Sequence, residues 1–169
     1  MSGPIEKLQM NFSKQGWERF SARLVSGAKI ISGDLFMQLA IAVISAAIIF
    51  GVLDALWLRW AGPNFYRPAI GEVMADDFRI VPALAFYALY LAGMTWFVIA
   101  PALNGGSVNG ALLNGAVLGG LCYATYDLTS QAVLKVWSTK VSFADIAWGA
   151  FATGTTCALS TLIATRLID

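Results

Sequence analysis

The sequence predicts an all-α integral membrane protein: a four-helix transmembrane bundle preceded by an amphipathic surface helix. Three observations carry that reading. Hydrophobic residues make up 58% of the 169 and charged residues only 12%, against roughly 25% charged in an average soluble domain. Four separate segments approach or exceed the ~20 apolar residues that a helix needs to cross a bilayer. Ahead of them, residues 1–36 alternate apolar and charged positions with the period of a helix.

In that N-terminal arm Trp17, Phe20, Leu24, Ala28 and Ile31 recur at three- or four-residue spacing, and Lys14, Glu18, Arg19, Arg23 and Lys29 fall mostly elsewhere around the helix. Such a helix lies in the headgroup region with its apolar face down. It reads as a membrane-surface anchor or as a docking arm for another protein. Its charged part is too long for a signal peptide, and no cleavage pattern follows the first apolar run.

The remaining 37–169 form the membrane domain. Spans are expected at about 37–58, 80–103, 111–136 and 144–163. The connection 60–79 holds Pro63, Arg67, Pro68, Glu72, Asp76, Asp77 and Arg79, too many breakers and charges to cross lipid, and is read as a long loop. In the second span Pro82 falls in the first turn and Pro101 near the end, both tolerable places for proline. Ala111, Gly115 and Gly119 repeat every four residues on the third span. Gly149 with Thr153, and Ala150 with Gly154, do the same on the fourth. Small residues at that spacing let two helix backbones approach closely, which predicts packing inside the bundle.

Lys7, Lys14, Arg19, Arg23 and Lys29 precede the first span, whereas Arg59, Arg67, Arg79, Lys135 and Lys140 belong to connections on the other side. The first helix usually dominates orientation, so both termini are placed in the cytoplasm.

Several chemistries are excluded. A net charge of +1 leaves no basic face for nucleic acid. The chain has no histidine, the commonest metal ligand and neutral-pH proton carrier, and no phosphate loop, dinucleotide fingerprint or zinc motif. No cofactor and no metal is expected. Cys122 and Cys157 sit in apolar segments and read as small buried hydrophobes.

The stretch LCYATYDLTSQAVLKVW, 121–137, sets a carboxylate, Asp127, in an apolar run, at an insertion cost of roughly 2.5–3.5 kcal/mol. Tyr123, Asp127, Ser130 and Gln131 share one helix face, which must point into the bundle. Counting depth along each span brings Asp54, Tyr87, Tyr126, Asp145 and Trp148 to the same half of the membrane. This cluster reads as interhelical hydrogen-bonding glue, as a ligand or catalytic pocket, or as a proton path. Trp57, Tyr66 and Arg67 stand near its mouth as candidate ligand-binding residues, Arg67 either as an ordinary interfacial cation or as an anion clamp on a lid.

Taken together, LDALWL near the end of the first span, NFYRPAIGEVM after it, FYALYLAGMTWFVIAPAL, YATYDLTSQAVLKVW and DIAWGAF occur in an order that resembles a bacterial membrane protein family, domain of unknown function 2177. The resemblance covers about 37–166 and leaves out 1–36. It implies four helices, a bacterial cytoplasmic membrane and no established activity. The matching positions are Asp54, Trp57, Tyr66, Arg67, Tyr87, Tyr126, Asp127, Asp145, Trp148 and Gly149. Two functions are carried forward. One is a non-catalytic accessory or assembly subunit that packs against a larger membrane protein complex through its arm and helix faces. The other is a membrane-embedded enzyme or binding protein for a lipid or small apolar molecule, centred on the Asp/Tyr cluster.

Overall fold

The computed structural model describes residues 33–168, and the unit described is the one beginning at Met37. The amphipathic helix expected within 1–36 lies outside the described residues, apart from the few positions that open the first long helix. Among the described residues all regular structure is helical, without strands. Its α-helices are α1 (Gly33–Ala61), α2 (Arg67–Ile70), α3 (Ile80–Met94), α4 (Ala100–Leu103), α5 (Val108–Val133) and α6 (Thr139–Ile168). The π-helical turns Gly62–Tyr66 and Thr95–Ile99 join α1 to α2 and α3 to α4, and a 3-10 turn, Gly71–Val73, follows α2.

Both π turns precede a proline by the same distance, Pro68 after Tyr66 and Pro101 after Ile99. A proline ring has no N–H and crowds the carbonyl four residues back; widening the preceding turn relieves that clash while the helix goes on. Thr95 ties its own turn by donating its hydroxyl to Leu91 O at 2.7 Å.

This device corrects the reading of 60–79 as a loop, because the chain stays helical as far as Val73. Pro63 and Pro68 each fall in the first turn of their segment, and each missing N–H removes a rung of the backbone ladder without ending the helix. The third predicted segment stops at Val133 rather than 136, where Leu134 turns extended (φ −91°, ψ 138°). The fourth begins earlier, at Thr139. Ser107 opens α5 by accepting the Gly110 N–H on its hydroxyl oxygen at 3.0 Å, an ordinary N-cap.

Among the described residues three stretches are long and apolar enough to cross a membrane: Gly33–Val73, Ile80–Leu103 and Thr139–Ile168. The helix of the expected third span, α5, is not among them. Glycines fill its middle, and Thr125, Asp127, Thr129, Ser130 and Gln131 crowd its second half.

The core centres on α6, whose Ala152, Thr153, Thr156, Cys157, Ser160 and Thr161 are buried. Against it lies α5 at backbone contact. A Cβ placed on Gly119 would sit 2.0 Å from Gly149 O and 2.5 Å from Thr153 Oγ1, and one on Gly115 3.0 Å from Gly154 Cα. The remaining helices join through larger side chains, chiefly Phe50, Tyr90, Met94 and Ile99. The outer face of α1 presents Ile44, Ile48, Val52 and Leu56, each more than half exposed. That four-residue apolar spacing suits a lipid-facing surface.

Candidate functional site

The end of α1, the start of α3, the end of α5 and the start of α6 meet at one end of the bundle, and acidic and aromatic side chains gather there. Asp54 lies about two turns before the end of α1, only 6% exposed. It accepts a hydrogen bond from the Tyr87 hydroxyl of α3. The Trp148 indole N–H lies beside the same carboxylate without closing a hydrogen bond of ordinary geometry.

A second chain of contacts runs beside the first. Trp57 Nε1–H donates to the Tyr66 hydroxyl oxygen at 2.8 Å, and Tyr66 donates in turn to Asp145 Oδ1 on α6. The Trp57 ring lies flat on that of Trp148, with centroids 4.6 Å apart and planes 8° from parallel. Tyr66 reaches Asp145 because the π turn carries the helix of α1 onward past Ala61. A loop at that point would not have fixed the direction of the phenol.

Tyr123 comes from α5 and fills the space that a side chain at position 149 would occupy: a Cβ on Gly149 would lie 2.3 Å from Tyr123 Cδ2. Next to it Tyr90 shares a 2.7 Å hydrogen bond with Thr153. Tyr123 also forms part of the wall of a pocket of about 330 Å³. Its walls include Asp54, Trp57, Tyr66, Phe86, Tyr87, Cys122, Tyr123 and Tyr126. That volume falls in the range of small-molecule sites, which are largely apolar with a few placed polar groups.

Asp127 stands apart from both chains of contacts. It is fully buried and neither carboxylate oxygen has a hydrogen-bond partner; Asp145 is the carboxylate within electrostatic reach. Close by in the chain, polar side chains tie the α5–α6 turn. Gln131 Nε2 donates to Thr139 Oγ1 at 2.8 Å, Trp137 Nε1 to Ser142 Oγ at 3.0 Å, and Ser142 Oγ to Gln131 Oε1 at 3.3 Å.

Of the residues singled out from the sequence, Asp54, Tyr87, Trp148, Trp57, Tyr66 and Asp145 are thus brought into mutual contact. Tyr126 is 64% exposed and packs edge-on against Trp137, its centroid 5.7 Å away. Arg67 is absent from this pocket. It lines a neighbouring cavity of about 600 Å³ with Asp76, Asp77, Arg79 and Trp137, and Phe78 and Tyr126 border both spaces. Among the described residues no three His, Cys, Asp or Glu side chains converge as metal ligands. Both cysteines are free; Cys157 is buried and Cys122 only partly so.

Sequence reasoning passed over Ala83, Phe86 and Cys122, all in the pocket wall. Ala83 carries a signal, since it precedes Tyr87 by one helical repeat and so shares its face. Phe86 and Cys122 carry none beyond adjacency to Tyr87 and Tyr123.

Residues 39–162 match the family model described as "Predicted membrane protein (DUF2177)", and the chain belongs to that family. No curated protein and no solved structure is significantly similar to it.

Proposed function

We propose that this DUF2177 member is a four-span protein of the bacterial cytoplasmic membrane, with both termini cytoplasmic, that binds a small apolar or amphipathic molecule beside Asp54 and Tyr87. The observation that carries this reading is the aromatic-walled pocket of about 330 Å³ with a hydrogen-bonded carboxylate in its wall. Glue alone needs no cavity. A fourth crossing by α5 is supported by its length: 26 residues rise about 39 Å, more than the ~30 Å of a hydrocarbon core. Its most polar side chain, Asp127, is turned inward.

The reading is tested by purifying the protein gently from native membranes and identifying co-purified small molecules by mass spectrometry. A defined molecule should accompany the wild type and be depleted from Asp54→Asn, while a Leu113→Ile change on the exposed face of α5 leaves it unchanged. Identical profiles for all three would remove this reading.

A second reading, an accessory subunit held to a larger membrane complex, is supported by the apolar stripe of α1 and by the charge-and-apolar pattern of 1–36. Deleting 1–36 should then release the protein from a complex in native gels. Unchanged migration would count against a docking arm.

A further inference from the structure

Resting on the pocket reading above, we propose that the occupant carries an ammonium group on an apolar body. The pocket wall contains a carboxylate, Asp54, and no lysine or arginine. Two further carboxylates stand behind it. Asp145 lies one phenol away, at the other end of the Tyr66 hydrogen bond, and Asp127 is sealed with both oxygens unpartnered. The arginines of this end, Arg67 and Arg79, line the neighbouring cavity instead.

Each alternative occupant fits worse. An anionic head entering this wall would meet only like charge in a medium of low dielectric, where such repulsion is strong. A neutral head would leave the acidic wall uncompensated. A cationic head supplies the missing charge to Asp54, and the wall holds four aromatic rings, Trp57, Tyr66, Phe86 and Tyr87, a residue class that attracts cations through its quadrupoles. Aromatic walls around a carboxylate are a chemistry suited to primary and quaternary amines. The rest of the lining is apolar enough to hold the body of an amphiphile.

The test uses the full chain in maltoside micelles and three probes of equal tail length: dodecyltrimethylammonium, dodecanol and dodecanoate. Saturable binding is read by quenching of tryptophan fluorescence and by native mass spectrometry. The ammonium probe should bind roughly tenfold or more tighter than the alcohol, and dodecanoate should not bind. Asp54→Asn should cancel the preference and keep alcohol binding. Ala83→Lys, which places a fixed cation in the wall without removing any contact, should exclude the ammonium probe and admit dodecanoate. Equal binding of ammonium and alcohol by the wild type would overturn the ammonium inference and leave the pocket reading standing. No saturable binding of any probe would overturn both.

Discussion

The Tyr66 hydroxyl donates to the carboxylate of Asp145, a residue 79 positions further along the chain. The bond fastens the helical extension beyond α1 to the first turns of α6, and it does so beside a pocket. Tyr66 is also the acceptor for Trp57, so a single phenol oxygen satisfies a donor and an acid at once. Removing it leaves both unpaired, at a cost of about 1–3 kcal/mol per buried polar group. Tyr66→Phe should therefore lower the thermal midpoint and shift Trp57 emission. Pairing it with Asp145→Asn should cost less than the sum of the two single changes. Strict additivity would show that the bond contributes little.

The α5–α6 contact predicts opposite outcomes for two glycines. Gly119→Ala forces a methyl to within 2.0 Å of a backbone carbonyl that cannot move aside. Overpacking of this sort costs about 1–3 kcal/mol or more, and the folded fraction in detergent should fall. Gly51→Ala on α1 meets nothing within 4 Å and should stabilise by about 0.5–1 kcal/mol through lower chain entropy. Equal melting of the two variants would contradict the close approach.

Asp127 should be worse for stability than its replacement. Both its oxygens are buried and unpartnered, a situation that removal of the polar group relieves. Asp127→Val is expected to raise the unfolding midpoint by an amount equivalent to about 1–3 kcal/mol. A folded but less stable Asp127→Val would contradict a net cost of these unpartnered oxygens.

Labelling separates the cysteines. Cys122 borders the pocket, whereas Cys157 is wholly buried. Intact-mass measurement after maleimide treatment should show one adduct, at Cys122, slowed when the pocket is filled. Equal labelling of both thiols would contradict the burial of Cys157.

Helical, membrane-type character was legible in the sequence because composition and apolar run length report it directly. The order of LDALWL, YATYDL and DIAWGAF was enough to point to the family. The extent of the helices was harder to read. The cluster Pro63, Arg67, Pro68 looks like a break, yet the widened turn Gly62–Tyr66 ahead of Pro68 lets the helix continue. Depth counting placed Asp54, Tyr87, Asp145 and Trp148 at one end of the bundle. Which tyrosine serves which aspartate was beyond it, since the partners lie 33 and 79 residues apart and several phenols were equally eligible. Arg67, left open between an interfacial cation and an anion clamp, was hard to direct for a related reason: helical phase sends it to the adjoining cavity, whereas a loop would have left its direction free.

The two sides of the pocket are joined in different ways. One side, α5 with α6, is closed backbone to backbone, with no room for even a methyl at Gly119. The other, α1 with α3, is held to α6 by side chains alone at this end: the Trp57–Trp148 stack and the Tyr66 hydroxyl on Asp145, while the Tyr87 hydroxyl ties α3 to Asp54 of α1. Rings can rotate within a few ångströms, whereas interlocked backbones cannot slide. The pocket therefore lies on a seam whose two edges differ in kind, one locked by backbone and the other adjustable by side-chain rotation.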